Sequence, residues 1–211
     1  MTLPRVYPII DSALGPWLKL GLEATVAALA SGGARILQIR HKGPWTRAIF
    51  EEATAAVRLC REAGVLVIID DRADMAKLLG AGLHVGQNDL PPREARRLLG
   101  EKAVLGFSSH NPAQLCAAAG EPVTYVALGP VFPTVSKAKP DPVVGLEQVR
   151  ACRKLAEKPL VAIGGITRVN AEAVLDAGAD SLAIIGDLMP DPLTAEGLRK
   201  RMEEWVRLVR A

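Results

Sequence analysis

The stretch from Tyr125 to Lys137 reads Tyr-Val-Ala-Leu-Gly-Pro-Val-Phe-Pro-Thr-Val-Ser-Lys. It begins as a largely apolar run of strand length, and the Gly129-Pro130 pair then turns the chain. After the turn come two hydroxyls and an ammonium, groups that bind anions well, at Thr134, Ser136 and Lys137. This pattern predicts a buried strand that carries an anion-binding loop at its carboxyl end.

Four other apolar runs end in polar residues in the same way. They are Leu37-Gln38-Ile39-Arg40-His41-Lys42, Ile68-Ile69-Asp70-Asp71-Arg72, His84-Val85-Gly86-Gln87-Asn88-Asp89 and Val161-Ala162-Ile163-Gly164-Gly165-Ile166-Thr167. Polar residues gathered at the carboxyl ends of many strands are typical of a parallel barrel with its active site on that face.

Strand-length apolar runs alternate with segments of helical period, and eight such units fit along the chain. The predicted strands cover about 5–11, 34–41, 65–71, 82–87, 103–108, 124–131, 159–166 and 181–188. The helices that follow them cover about 17–31, 46–63, 72–80, 92–99, 111–119, 145–156, 168–177 and 193–210. We therefore expect an α/β fold, a compact (β/α)8 TIM barrel of parallel strands.

The alternative fold is an open, doubly wound parallel sheet. It would leave two strand edges to protect, and the first strand, which ends Ile9-Ile10-Asp11, is not followed by a glycine-rich dinucleotide turn. Both points favour the closed barrel.

Composition excludes several classes of protein. The 26 basic and 23 acidic residues are spread along the chain, and only 4% of residues are aromatic, which argues against nucleic acid as a partner. Neither a secretion signal nor an apolar run of about 20 residues is present, so we expect no membrane partner. We predict one domain over residues 1–211, located in the cytoplasm, and leave self-association as a homo-oligomer open.

Three basic or amide side chains lie on one face of the second predicted strand. Gln38, Arg40 and Lys42 have the same parity, so they would point together into the barrel mouth. A guanidinium and an ammonium beside an amide suit a phosphate or diphosphate. The alternative is a solvated strand end.

Carboxylates follow the third and fourth predicted strands, at Asp70, Asp71 and Asp89. Hard oxygen ligands on neighbouring loops suit Mg²⁺, which one or two carboxylates can hold together with substrate phosphates. Because neighbouring residues on a strand point in opposite directions, we expect only one of Asp70 and Asp71 to reach the ion. The alternatives are a helix cap at Asp71 and a turn residue at Asp89.

A Gly-Gly pair, Gly164-Gly165, follows the seventh strand and should open the next helix with backbone N–H groups that can hold an anion. With Gly186 after the eighth strand, it occupies the usual phosphate position of such barrels. Asp187 would repel a phosphate there unless its side chain turns away. Among the histidines, parity places His41 outside the barrel, His84 is expected to be a hydrogen-bonded core residue, and His110 is either a general base or structural.

Taken in order along nearly the whole chain, these motifs resemble thiamine-phosphate synthase. The resemblance implies an enzyme, a transferase that joins hydroxymethylpyrimidine diphosphate to a thiazole phosphate with Mg²⁺ and releases diphosphate before the thiazole nitrogen attacks. It also implies roles for residues of this chain. Gln38, Lys42 and Lys137 would bind diphosphate, Asp71 and Asp89 the metal, Asp70 and Ser108 the pyrimidine region, and Thr134, Ser136, Gly165, Ile185 and Gly186 the thiazole phosphate. Arg40, Ser108 and Lys137 are the expected catalytic residues.

This chain departs from the family pattern at three positions. Asp70 stands where the family has asparagine, His41 where it has an acidic residue, and Gly186 where it has serine. Two rival functions stay open. One is the related thiazole tautomerase, which uses a histidine after the fifth strand, where His110 stands; the other is a non-catalytic barrel that binds a phosphorylated metabolite.

Overall fold

The computed structural model of the chain describes residues 2–134 and 141–209. Its strands are β1 Val6–Asp11, β2 Ile36–Arg40, β3 Leu66–Asp70, β4 Gly82–Val85, β5 Leu105–Ser109, β6 Tyr125–Leu128, β7 Leu160–Ile163 and β8 Ser181–Ile184. Each strand pairs in parallel with the next, and β8 pairs with β1, so that the sheet closes on itself. The predicted (β/α)8 barrel is confirmed, and the open sheet is wrong.

Helices surround the barrel. They are α1 Gly15–Leu20, α2 Leu22–Ser31, α3 Arg47–Glu62, α4 Ala73–Leu79, α5 Pro92–Leu99, α6 Pro112–Ala119, α7 Gly145–Leu155, α8 Ala171–Asp176 and α9 Ala195–Leu208. Polar side chains begin several of them. Thr46 accepts a hydrogen bond from Ile49 N in α3, and Asn111, ahead of Pro112, accepts one from Gln114 N in α6.

The first predicted helix, 17–31, is two helices. Gly21 separates α1 from α2 with a φ of +78°, a conformation that a right-handed helix cannot contain. The α2 N-terminus is then capped from another helix, because Glu52 of α3 accepts a hydrogen bond from Leu22 N at 2.7 Å. A cap supplied 30 residues away leaves no local sequence pattern.

Three strands end at least three residues earlier than predicted: β7 at Ile163, and β6 and β8, whose ends have a local cause. β6 stops at Leu128 because Pro130 has no N–H for the ladder. β8 stops at Ile184, and the chain then forms a short 3₁₀ turn, Gly186–Leu188, in which Met189 N donates to Gly186 O. The early ends of β6 and β8 leave irregular backbone at the barrel mouth, where it can contact a ligand.

The strands bury side chains on both faces. The larger core lies between barrel and helices, and a smaller one fills the barrel interior with Leu3, Tyr7, Ile9, Ile36, Ile68, Tyr125, Ala127, Val161 and Ala183. Along β2 and β3, apolar Ile36 and Ile68 lie inside at the closed end, and polar Gln38 and Asp70 follow two residues later. The interior therefore changes from apolar to polar towards the carboxyl ends of the strands.

Among the described residues, none of the helices is both long enough and apolar enough to cross a bilayer. The cytoplasmic location, the single domain over 1–211 and any self-association stay predictions.

Candidate active site

A cavity of about 700 Å³ opens at the carboxyl ends of the strands, and every strand contributes side chains to it. The predicted site residues that line it are Gln38, Arg40, Lys42, Asp70, Asp71, Asp89, Ser108, Thr134, Gly165, Ile185 and Gly186. The two others, Ser136 and Lys137, lie outside the described residues. The structure thus brings the described set together on one cavity, whereas the roles of its members stay predictions.

The cationic end of β2 faces the cavity. Arg40 forms an ion pair with Asp11 of β1, and its Nε lies 3.4 Å from Asp70 Oδ2. Lys42 Nζ lies 3.0 Å from the same Asp70 oxygen and is also paired with Asp71. Burial lowers the pKa of Lys42, but the charge of Asp70 and the contact with Asp71 outweigh this and raise it. Both side chains are therefore cations held by carboxylates.

The expectation that Asp70 and Asp71 point apart is wrong. The strand ends at Asp70, and Asp71 has a φ of +58°, so the alternation of an extended strand does not continue through it. Both carboxylates contact Lys42 and line the cavity. The helix-cap alternative for Asp71 is also wrong, because Arg72 is the N-cap of α4 and no side chain caps that helix.

Asp89, on the loop after β4, joins the charged group of Lys42, Asp70 and Asp71. Its Oδ2 accepts a hydrogen bond from Gly86 N at 2.7 Å, so it fixes the turn, as the alternative interpretation held, and also lines the cavity. Burial raises its pKa, and the negative charge of Asp71 raises it further. Burial likewise raises the pKa of Asp70. The nearby cations therefore do not fully offset the cost of burying these two carboxylates in their charged form.

The loop after β7 forms the opposite wall. Gly164 and Gly165 have φ of +99° and +62°, and a Cβ on Gly165 would lie 2.5 Å from Pro133 O. Only glycine permits both this backbone and this approach to the loop after β6. Within the described residues, no acceptor is found for the N–H groups of Gly165 and Gly186. Two residues whose N–H groups have no described acceptor therefore line the cavity here.

The prediction that the Gly-Gly pair opens the next helix is wrong. Helix α8 begins only at Ala171, after a separate turn. Asn170 closes that turn: its Oδ1 accepts from Thr167 N at 2.8 Å, and its Nδ2 donates to Gly165 O at 3.0 Å. The amide side chain therefore holds the Gly165 peptide in place.

Asp187 does not act as an uncompensated negative charge beside this wall. Its Oδ2 lies 3.0 Å from Arg168 Nε, and Arg168 is also paired with Glu204 of α9. The carboxylate lines the cavity, but the guanidinium offsets its charge.

The three histidines occupy different places. His41 lies between the Trp17 and Trp45 rings, with centroids 5.8 Å from each, on the side away from the cavity that its parity predicts. His84 is buried and hydrogen-bonded, as predicted, and it also lines the cavity. His110 Nδ1 lies 2.7 Å from Gly129 O. Because a carbonyl only accepts, that nitrogen carries a proton, and Nε2 of the neutral ring is basic.

Sequence reasoning missed Tyr7 and Tyr125, which line the cavity, and Asp11, which pairs with the cavity residue Arg40. Asp11 ends an apolar strand like the predicted carboxylates do, so the same signal was present at β1. Tyr7 and Tyr125 were hidden within apolar runs, although their parity places both inside the barrel. Their phenol oxygens lie 2.9 Å apart.

Comparison with known proteins agrees with this geometry. A family model described as thiamine monophosphate synthase matches residues 6–188. A thiamine-phosphate synthase of Koribacter versatilis is 45% identical over 212 residues, which cover 99% of this chain and 97% of that protein. One from Thermus thermophilus is 40% identical over 205 residues, with 95% and 98% covered.

Solved structures give the same result. The thiamine phosphate pyrophosphorylase from Pyrococcus furiosus superimposes with a TM-score of 0.82 at 32% identity, covering 98% of this chain and 95% of that one. Mycobacterium tuberculosis tryptophan synthase, at 17% identity and a TM-score of 0.70, shares the fold alone. The family match over most of the chain and the near full-length relatives lead to one conclusion: the chain belongs to the thiamine monophosphate synthase family of transferases.

Proposed function

We propose that this chain is a thiamine-phosphate synthase that joins 4-amino-2-methyl-5-hydroxymethylpyrimidine diphosphate to a thiazole phosphate. The products are thiamine phosphate and diphosphate. One observation carries the proposal beyond family membership: a single cavity has two chemically different walls, each suited to an anion. A group of cations and carboxylates lies at the ends of β2 to β4, and backbone N–H groups lie after β7 and β8. A reaction that joins two phosphorylated molecules needs both.

The charge of the first wall supports a divalent cation there. In the part of the chain that the structure describes, two cations at the ends of β1 to β4 face four carboxylates, and two minus four gives a formal charge of −2: Arg40 and Lys42 against Asp11, Asp70, Asp71 and Asp89. A diphosphate would be repelled by this set alone. A bound Mg²⁺ would neutralise it and leave Arg40 and Lys42 to attract the substrate.

The donor set suits Mg²⁺, which needs few protein ligands, better than it suits an ion enclosed entirely by protein side chains. Within residues 2–134 and 141–209, no three His, Cys, Asp or Glu side chains are grouped so as to enclose an ion. Mg²⁺ commonly uses only one or two carboxylates and completes its coordination with water and substrate phosphate. Asp71 and Asp89 would hold it. Asp70 Oδ2, buried and without a well-aligned hydrogen bond among the described residues, adds negative charge beside them.

In the proposed reaction, the C–O bond between the pyrimidine methylene and diphosphate breaks first, and its electron pair leaves on the diphosphate oxygen. When bound, Mg²⁺ supplies positive charge to those departing oxygens. Lys42 and Arg40 lie on the same wall and stabilise the growing negative charge. The thiazole nitrogen then donates its lone pair to the methylene carbon. No protein nucleophile is required.

The opposite wall would hold the thiazole phosphate. The Gly165 and Gly186 N–H groups are the donors, and Thr134 lies on the same cavity. Ile185 adds an apolar surface next to Gly186. Ser108, on the cavity floor, would contact the pyrimidine. Ser136 and Lys137, which fall outside the described residues, keep the anion-binding roles predicted from their sequence.

The test is an assay of the purified protein with both substrates, with and without Mg²⁺. We expect thiamine phosphate and diphosphate in equal amounts, and only with the metal. Product formed at the same rate in excess chelator would overturn the metal assignment. Absence of product under both conditions would overturn the function.

One observation favours a second candidate, thiazole tautomerisation. His110 lines the cavity with its Nδ1 proton held by Gly129 O, which leaves Nε2 as a base. Interconversion of thiazole phosphate isomers without the pyrimidine substrate, lost in His110→Ala, would support it. Condensation that continues in His110→Ala would assign that histidine a structural role.

A further inference from the structure

Five polar side chains on the cavity floor form one continuous series of hydrogen bonds, here called the floor relay. Gln38 Nε2 donates to Tyr7 OH at 3.3 Å, and Tyr7 OH lies 2.9 Å from Tyr125 OH. Tyr125 OH lies 3.0 Å from His84 Nδ1, and His84 Nε2 lies 2.8 Å from Ser108 Oγ. The relay crosses the barrel interior and includes both tyrosines of the chain.

The absence of a side chain at Gly106 leaves space for two rings of the relay. The Tyr125 and His84 rings stack at 25° with centroids 5.6 Å apart, and both lie close to Gly106 of β5. A Cβ on Gly106 would lie 2.1 Å from the Tyr125 ring and 2.5 Å from His84 Nδ1. Strand β5 therefore carries no side chain at the point where these two rings meet.

The relay has one direction of donation. Gln38 Nε2 can only donate, so Tyr7 accepts from it, and the single Tyr7 proton is directed to Tyr125, its other partner in the described part of the chain. Tyr125 accepts that bond and directs its own proton to His84 Nδ1. A different order would leave a buried hydroxyl proton without an acceptor, which is costly.

This direction fixes the state of His84. Its Nδ1 accepts, so the neutral ring carries its proton on Nε2 and donates it to Ser108 Oγ. Ser108 then accepts from the histidine, which leaves its own proton for an acceptor in the cavity that it lines. Burial raises the pKa of Tyr7 and of Tyr125, so both phenols stay protonated donors at neutral pH.

We propose that the floor relay sets substrate specificity: Tyr7, Tyr125 and His84 are positioning residues that make Ser108 a hydrogen-bond donor to an acceptor atom of a flat heteroaromatic ring. The identity of that ring as the aminopyrimidine rests on the proposed function, since its ring nitrogens are acceptors. A ligand that offered only donors at this point would leave the Ser108 proton without an acceptor, although the second lone pair of Ser108 Oγ could still accept from it.

The first test reads the tautomer of His84 in the purified protein without substrate, by ¹⁵N NMR of its side chain, with His84→Gln for assignment. We expect a neutral ring with the proton on Nε2. A proton on Nδ1, or on both nitrogens, would overturn the relay. This readout does not depend on the reaction. The relay can therefore be confirmed even if the proposed condensation is not observed, and the condensation can be observed even if the relay is wrong.

The second test is a double-mutant cycle between Tyr125→Phe and Ser108→Ala. Loss of either group should weaken binding of the pyrimidine substrate by about tenfold. If Tyr125 acts through Ser108, Tyr125→Phe has little further effect in the Ser108→Ala background. Additive losses, or equal losses of thiazole phosphate binding, would show that Tyr125 only supports the fold.

Gly106→Ala offers a third variant that touches no ligand. Its methyl group would separate Tyr125 from His84, and we expect a mixed His84 tautomer together with the weakened pyrimidine binding of Tyr125→Phe. Gly120→Ala is the matched control, because a Cβ there has no atom within 4 Å. An unchanged His84 spectrum in folded Gly106→Ala, with weakened binding, would contradict the relay.

Discussion

The ammonium of Lys42 lies 3.0 Å from Oδ2 of Asp70, although Lys42 follows β2 and Asp70 ends β3. They meet because β2 and β3 are neighbours whose register pairs Gln38 with Ile68 and Ile39 with Ile69. The left-handed backbone of Asp71 then brings a second carboxylate to the same ammonium. Neighbouring strand ends and one unusual φ thus assemble the charged wall on which the proposed chemistry depends.

Asp71→Asn should weaken Mg²⁺ or Mn²⁺ binding in the presence of diphosphate. The amide keeps the shape but removes one of the two carboxylate charges proposed to hold the metal. We expect a loss of at least about 10–100-fold in affinity, the size seen when groups around a metal are removed. Mn²⁺ binding followed by electron paramagnetic resonance measures it.

Asp74→Asn is the matched control for that variant. Asp74 lies three residues further along, exposed at the start of α4, and its partner is Arg72. Its replacement should leave metal affinity unchanged. Equal losses in both variants would mean that metal affinity depends on the overall negative charge of this region and not on Asp71 as a ligand.

Gly165→Ala should raise the KM for thiazole phosphate, because the added methyl group would collide with Pro133 O and displace the backbone donors. Gly145→Ala is the control that separates the effect of this collision from the effect of backbone strain. Gly145 has a similar φ of +69°, but a Cβ there has no atom within 4 Å. Both variants should lose about 1 kcal/mol of stability to backbone strain, and Gly165→Ala should lose more because of the collision, as measured by denaturant unfolding. A raised KM in both would remove the assignment of the Gly165 N–H group to the thiazole phosphate.

Gly186→Ser should strengthen thiazole phosphate binding. A Cβ on Gly186 meets no atom within 4 Å, so the side chain fits, and its hydroxyl can donate to a charged phosphate. Such a bond contributes about 1.5 kcal/mol or more, which is roughly tenfold in KM. Gly186→Ala, which adds the carbon without the hydroxyl, should not show the gain. A gain in Gly186→Ala as well would point to packing.

Stability should fall at alkaline pH because of the buried tyrosines. Burial raises the pKa of Tyr7 above its ordinary value of 10.0, so the unfolded chain releases this proton while the folded protein keeps it. The contribution is therefore present below pH 10.0 and is lost above it, by about 1.4 kcal/mol per pH unit for each tyrosine. Tyr7→Phe should reduce the slope of unfolding free energy against pH. Tyrosinate absorbance from the folded wild-type protein near pH 10 would contradict this.

Periodicity predicted much of this molecule because a parallel barrel imposes it. Both faces of each strand are covered, so strands read as apolar runs, and each run ends where the cavity begins. That rule placed Gln38, Arg40 and Lys42 on one wall. It also placed Asp89 and Gly165 on the cavity.

The rest depended on contacts that local sequence does not encode. Asp71 has a positive φ, which aspartate adopts only occasionally, so the sequence gave only a weak signal for this turn. The break at Gly21 is completed by Glu52 from α3, and the floor relay joins residues up to 118 positions apart. In each case the partner is distant along the chain and close only in the barrel.

The most direct test of the account is calorimetric titration of diphosphate into the protein, with Mg²⁺ and then with excess chelator. Asp71 and Asp89 should make binding depend on the metal, so we predict measurable heat and one site with Mg²⁺ and no detectable binding without it. Equal affinity under both conditions would contradict the claim that these carboxylates hold a metal for the departing diphosphate.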